Sequence, residues 1–374
     1  MLLTDLQTPA VLVDVDRAGR NIERMQAAAS ARGLRLRPHA KTHKSIEFAR
    51  QQIARGAVGI CCAKLGEAEV FADAGIADIR LPYPLNPVSA DRVAALLDRT
   101  RLSFIVDDLA VARAWSRAMQ SRQREVDVLV KVDVGFHRCG IDPDRTDAAE
   151  IVARVAELPG LRFRGLLSHA GHAYGAASEA EMSAIASAEG RLLTDLASRI
   201  NTLGVAVDEV SVGATPTARF SVQQDGITEI RPGNYIYYDR TQVGVGAATW
   251  SDCALTVLAR VVSTPASDRI IFDSGSKTLT NDLARGFGPA PGYGAVFESL
   301  DALAPDASLT IERLSEEHAN VRGLEGDRRL GTGDLVRILP NHSCVVSNLV
   351  DAIWLVRGSE VEGQRRVDAR GRIA

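Results

Sequence analysis

The sequence predicts a (β/α)8 TIM-type barrel followed by an antiparallel β domain. Between about residues 35 and 240, short β-branched runs alternate with longer Ala-, Glu- and Arg-rich segments of helical spacing. The short runs are apolar almost throughout, as expected of strands buried on both faces of a parallel sheet. Beyond residue 240, alternating runs are separated by turn residues and little helical spacing remains.

Taken in order, the opening strand Ala10–Asp16 precedes the barrel and is assigned to the second domain. The first four barrel strands are Leu34–Lys41, Val58–Lys64, Asp78–Tyr83 and Arg101–Asp107. The last four are Val126–Val134, Leu161–His169, Asp208–Gly213 and Ile227–Tyr235. Good helix formers fill Ser45–Arg55, Lys64–Ala74, Val88–Asp98, Leu109–Arg122, Ala148–Glu157 and Glu179–Leu203. Eight strand–helix units read as a barrel, with its chemistry expected on loops at the strands' C-terminal ends. The second domain has β runs at Ala254–Val262, Arg269–Ser274, Ser308–Leu314, Asp334–Pro340 and Ala352–Val356. The expected division is therefore a barrel at 17–240, and a β domain at 241–374 joined by residues 1–16.

The chain has 374 residues, 46% of them hydrophobic, which is ample for a core of this size. A net charge of −3 gives no reason to expect nucleic acid or an anionic membrane as partner. No apolar run reaches membrane-spanning length, and MLLTDLQTPA lacks the features of a signal peptide. The five cysteines show no framework spacing, so reduced thiols in a cytoplasmic protein are expected. Cys61 and Cys62 fall inside a strand and read as core.

Unusual residues gather at the ends of the barrel strands. Lys41 lies in RPHAKTHKS, among Arg37, His39, His43 and Lys44. Nearby positive charge and desolvation would lower the pKa of its amine, readying it to condense with an aldehyde. Arg138 follows strand 5 in KVDVGFHRCG, where a guanidinium can reach a phenolic oxygen across the mouth. SVGATPTA after strand 7 and RPGNY after strand 8 offer small residues, backbone N–H groups and hydroxyls, the recurrent phosphate arrangement of such barrels. Lysine, phosphate cradle and ring-facing arginine together describe a pyridoxal phosphate site. His169 and His172 follow strand 6, and His172 is assigned to face substrate. The tyrosines 235, 237 and 238 read as packing beside the cofactor.

In the second domain, PNHSC places His342 and Cys344 two apart at a strand end. Alternate strand residues share a face, so both could bind one ion, and imidazole with thiolate suits Zn2+. Two protein ligands leave positions open, which fits a catalytic site better than a structural one. SEEHANV, with Glu316, Glu317 and His318, is a weaker candidate near the site.

Over nearly its whole length the chain resembles the fold-type III, alanine-racemase-like pyridoxal-phosphate enzymes. The resemblance is specifically to the D-serine dehydratase/D-threonine aldolase family. It implies Lys41 as Schiff-base lysine and Arg138 as partner of the cofactor's phenolic oxygen. It also implies Gly213, Thr215, Gly233 and Asn234 around the phosphate, Tyr174 beside the ring, a metal on His342 and Cys344, and a homodimer. His-x-Cys and the SVGxTPTA loop resemble the dehydratase branch; aldolases of the family tend to carry His-x-Asp.

The expected function is thus dehydration of a D-β-hydroxy-α-amino acid (D-serine, D-threonine or D-threo-3-hydroxyaspartate) to a 2-oxo acid and ammonia. The nearest rival is retro-aldol cleavage to glycine and an aldehyde. A racemase would have no use for the metal pair, and a non-catalytic cofactor carrier would have no use for the C-terminal domain.

Overall fold

The structure, a computed structural model, describes residues 1–323 and 330–374. Strand β1 spans Ala10–Asp14. The barrel strands follow: β2 Arg35–Leu36, β3 Ile60–Cys61, β4 Asp78–Pro84 and β5 Arg101–Val106. The next four are β6 Val126–Lys131, β7 Leu161–Leu167, β8 Glu209–Val212 and β9 Glu229–Ile230. All neighbours in the order β2-β9-β8-β7-β6-β5-β4-β3 are parallel. The seam between β2 and β3 closes through Val58 N–H to Leu36 O (3.0 Å) and Cys61 N–H to Pro38 O (2.7 Å).

The surrounding helices follow their sequence signals. In helix Leu109–Gln120, the Asp108 carboxylate caps the first turn by accepting from Val111 N. Ala112, Trp115, Ser116 and Met119 fall on one face and are buried, and Trp115 Nε1 donates to Leu85 O at 2.9 Å.

The barrel interior departs from the continuous apolar strands expected. In β8 and β9 the residues alternate, and Glu209, Ser211, Glu229 and Arg231 are all buried. Arg80 of β4 donates to Glu229 (2.6 Å), Glu209 (2.8 Å) and Ser103 Oγ (2.9 Å). Arg37 joins Glu229 (2.9 Å) and Asp78 (2.5 Å). Buried charge is tolerated here because each carboxylate meets a guanidinium with matched hydrogen bonds. Burial alone would raise the Glu229 carboxyl; Arg80 and Arg37 outweigh it and bring it down to about 2.

The remaining strands are β10 Leu255–Ala266, β11 Arg269–Phe272, β12 Ala295–Phe297 and β13 Thr310–Leu314. After them come β14 Ala319–Arg322, β15 Leu335–Leu339, β16 Ala352–Arg357 and β17 Glu360–Arg366. Their sheet runs β11-β14-β13-β12-β15-β10-β1-β16-β17, and a β10–β11 pairing curls six of its strands into a small closed barrel. All pairs are antiparallel except β1–β16. The N-terminal strand therefore joins the second sheet, as expected. Helix Val15–Ser30, which the pattern reading left out, leads from it to the barrel.

Candidate active site

At the C-terminal end of the barrel, next to the second sheet, lies a solvent-connected cavity. Lys41 stands in its wall on a single 3-10 turn, Ala40–Thr42. Thr42, His43, Lys44 and Ser45 after it are buried, so this stretch is not a solvated surface run.

The positive charge expected from its sequence neighbours is largely spent elsewhere. Arg37 is paired with Glu229 and Asp78, and Lys44 with Glu67 at 2.8 Å. Burial holds His43 down at about 4; burial, then the charge on Lys41, holds His39 well below its ordinary range. Distant strands supply the cations instead. Lys131, Arg138 and Arg231 line the same wall, which among the described residues carries no Asp or Glu. Burial, reinforced by Arg231, pushes the Lys131 amine down to about 7.

Arg138 arrives on a tight loop after β6. The Asp133 carboxylate accepts from the N–H groups of Gly135 and His137, both at 3.0 Å. At Gly140 (φ +125°) a Cβ would overlap Asp133 N, so the return path requires glycine. Arg138 folds over Phe136, 5.1 Å from the ring centroid, and Phe136 packs edge-on against His169.

His169, not His172, lines the cavity. Its Nδ1 lies 2.6 Å from Gly213 O, a contact that places the proton there and leaves Nε2 as an acceptor. Burial, with Lys131 and Lys41 beside it, keeps this imidazole well below its ordinary pKa and hence neutral. His172 sits in the Gly171–Gly175 turn, which lays its ring against Gly135 with Nδ1 buried and unpartnered. The structure thus places His169 in the cavity wall and His172 behind it, against the Gly135 turn.

Ala214, Thr215, Gly233 and Asn234 also line the cavity, and Gly213 lies beside them. Thr215 Oγ1 accepts from Gly233 N–H (3.2 Å), tying the two loops together. A Cβ on Gly233 would stand 3.0 Å from His39 Cβ, which explains the glycine. The Asn234 side chain turns away from the loops, donating to Asp239 Oδ2 (2.6 Å), Ser343 Oγ (3.1 Å) and Cys344 Sγ (3.5 Å). The Tyr174 hydroxyl, in the same wall, accepts from Gln242 Nε2 at 3.1 Å. Tyr235 and Tyr237 are fully buried packing residues, and Cys61 and Cys62 are core.

His342 and Cys344 meet the cavity by a different geometry from the one expected. They follow β15, but the strand has ended. His342 caps helix Ser343–Leu349 and Cys344 lies in its first turn, so the shared face comes from the helix start and not from strand alternation. Thr42 Oγ1 contacts Cys344 Sγ at 3.1 Å, so the residue after Lys41 touches this thiol. Burial opposes a thiolate at Cys344, but His342 and Lys41 outweigh it and lower the thiol's pKa. Burial also opposes an imidazolium at His342, yet Cys344, Asp239 and Asp282 lift it to about 10. Among the described residues, no cluster of three or more His, Cys, Asp or Glu side chains is gathered to hold a metal. Glu316, Glu317 and His318 form an exposed β13–β14 turn outside the cavity wall, where both glutamates pair with Lys277.

Residues 13–241 match the family model of the alanine racemase N-terminal domain, and residues 254–356 match that of the serine dehydratase domain. D-Threonine aldolase of Arthrobacter sp is 32% identical, the match covering 99% of this chain and 94% of that one. D-threo-3-hydroxyaspartate dehydratase of Delftia sp. (strain HT23) is 35% identical, over 91% of this chain and 92% of that one. The solved structure of the Delftia protein superposes with a TM-score of 0.92 at 32% identity, covering 98% of each chain. The chain belongs to the D-serine dehydratase and D-threonine aldolase family. The family is one of pyridoxal-phosphate-dependent lyases with an alanine-racemase-like fold.

The wall fits that cofactor. Four cationic side chains with no acid among them call for an anionic guest, and a phosphorylated phenolate supplies the missing charge. Three contributors were missed from sequence: Lys131, Arg231 and Asp239. Arg231 had a signal, because it shares the inward face with Glu229 two residues earlier and immediately precedes the phosphate-loop glycine motif.

Proposed function

We propose that this protein dehydrates a D-β-hydroxy-α-amino acid to a 2-oxo acid and ammonia, using pyridoxal phosphate and a divalent metal. D-Serine, D-threonine and D-threo-3-hydroxyaspartate are the candidate substrates. The observation that carries this is the junction of Lys41, through Thr42, with Cys344 and His342 in one cation-rich cavity.

When bound, the cofactor supplies an electron sink for the pair left at Cα, and the metal supplies Lewis acidity at the β-oxygen. Lys41 would hold the cofactor, and its amine would take the proton from Cα. Arg138 would hold the phenolic oxygen, and Gly213, Thr215, Gly233 and Asn234 would hold the phosphate through hydroxyl and backbone N–H donors. Tyr174 packs beside the ring. Neutral His169 with its fixed tautomer offers Nε2 to the ring or substrate, the role first given to His172. His342 and Cys344 would hold the metal, for which imidazole and thiolate favour Zn2+.

Two D-threo-3-hydroxyaspartate dehydratase structures carry a histidine-to-alanine and a cysteine-to-alanine change two positions apart, the second in a metal-free form. His342 and Cys344 have that same spacing. The rival, retro-aldol cleavage, uses the same residues and is favoured by the likeness to the Arthrobacter aldolase. Cys344 at the metal supports dehydration. The resemblance to the family also supports a homodimer, and five free cysteines support a reducing, cytoplasmic setting. Among the described residues no helix is long and apolar enough to cross a membrane.

Lys41→Ala is expected to abolish the visible absorbance of lysine-bound cofactor in the purified protein. Persistence of that band would sink the lysine assignment.

A further inference from the structure

His342 Nδ1 lies 2.6 Å from a carboxylate oxygen of Asp282, a residue sixty positions earlier in a loop without periodic pattern. The pair is half-exposed, at 44% and 46% for the two side chains, so as an ion pair it contributes little to stability. Yet the structure holds it closely.

Asn341, buried and immediately before His342, donates its amide to both Asp282 O and Gly292 O at 2.9 Å. Arg240 donates to Pro291 O (2.8 Å) and Gly294 O (3.0 Å). Arg285 N–H donates to Thr241 Oγ1 (3.2 Å), and Gly286 passes so close to Gly244 that a Cβ on it would stand 2.9 Å from Gly244 Cα. The loop carrying Asp282 is thus fastened to the Arg240–Gly244 segment and, through Asn341, to the stretch carrying His342.

A carboxylate can only accept, so this contact keeps a proton on Nδ1 and leaves Nε2 as the nitrogen that a metal would take in place of its proton. A metal-binding histidine whose other nitrogen is held this way has a fixed ring orientation and a more basic donor atom. We propose that Asp282 is a positioning residue for a divalent metal held by His342 and Cys344, and that Asn341 holds Asp282 in place. This rests on the metal reading of that pair.

The test uses full-length, cofactor-loaded protein and its Asp282→Ala and Asp282→Asn variants, with Zn2+ titrated against a chromophoric chelator. Asp282→Ala is expected to bind Zn2+ about 10- to 100-fold more weakly with the cofactor absorbance unchanged. Asp282→Asn, which keeps an acceptor oxygen, is expected to fall between the two. In Zn2+-loaded protein, 15N spectra of the histidine rings give a second readout. His342, assigned from a His342→Gln variant, is expected to lose its Nδ1–H preference in Asp282→Ala. Wild-type affinity in Asp282→Ala with an unchanged tautomer overturns the positioning role and leaves the metal pair standing. Failure of the wild-type protein itself to bind Zn2+ overturns both. Loss of the cofactor band in Asp282→Ala and Asp282→Asn alike shows a role in folding and overturns the proposal too.

Discussion

At the residue scale, the site works because side chains far apart in sequence neutralise some charges and leave others exposed. Lys41 was legible because a strand-end lysine among phosphate-loop and arginine signals has few other uses. Its surroundings were not. Arg37 and Lys44 look like free cations in the sequence, but their partners Glu229, Asp78 and Glu67 come from other strands and helices. Lys131 and Arg231 carried only the faint signal of charge at an inward strand position, and Asp282 carried none. The test at this scale is Cys344→Ala. It removes the thiol touching Thr42 and is expected to leave cofactor absorbance intact while losing tightly bound divalent metal and turnover. Full activity in metal-free Cys344→Ala protein would refute the Lewis-acid role.

At the element scale, all eight barrel strands fall within the segments expected of them, apart from one residue at the end of β4, because parallel buried strands leave compact β-branched runs. Helix Val15–Ser30 escaped notice because its buried face is only Ala18, Asn21, Ile22 and Ala29, too little apolar bulk to mark a stripe. Strands β12 and β14 are three and four residues long, and the edge strand β17 is polar throughout most of its length. The strands' interior faces hold the ion network under the cofactor cavity. Ser211 Oγ donates to Glu229 at 2.6 Å and accepts from Arg231 Nε at 2.7 Å, linking that network to the cavity wall. Arg80→Met keeps the aliphatic stem but removes the guanidinium that Glu209 and Glu229 share, and is expected to cost about 3–5 kcal/mol in urea unfolding. A loss under about 1 kcal/mol would show that the network is not needed for stability.

The pH dependence of this network has a definite sign. Glu229 has a folded pKa of about 2, below its ordinary value, so its contribution is complete above about 4.3. The contribution is lost as pH falls from there toward 2. In Arg80→Met the folded Glu229 pKa should rise toward its unfolded value, so less stability should be lost between pH 6 and pH 3 than in the wild type, which denaturant melts across that range would reveal.

At the scale of the whole molecule, the barrel supplies the cofactor wall and the second sheet delivers His342 and Cys344 to it. The strand β1 pairs with both β10 and β16, so the two ends of the chain are woven into one sheet. The general reaction type was legible because lysine, arginine, two loops and a His-x-Cys pair fall in a fixed order. The choice between dehydration and cleavage is finer, since both begin from the same residues. It is decided by product. Protein loaded with pyridoxal phosphate and Zn2+ should be given D-serine, D-threonine and D-threo-3-hydroxyaspartate, with the L-isomers as controls. A 2-oxo acid with equimolar ammonia from a D-substrate is the expected result; glycine with an aldehyde would contradict the account and make the protein an aldolase.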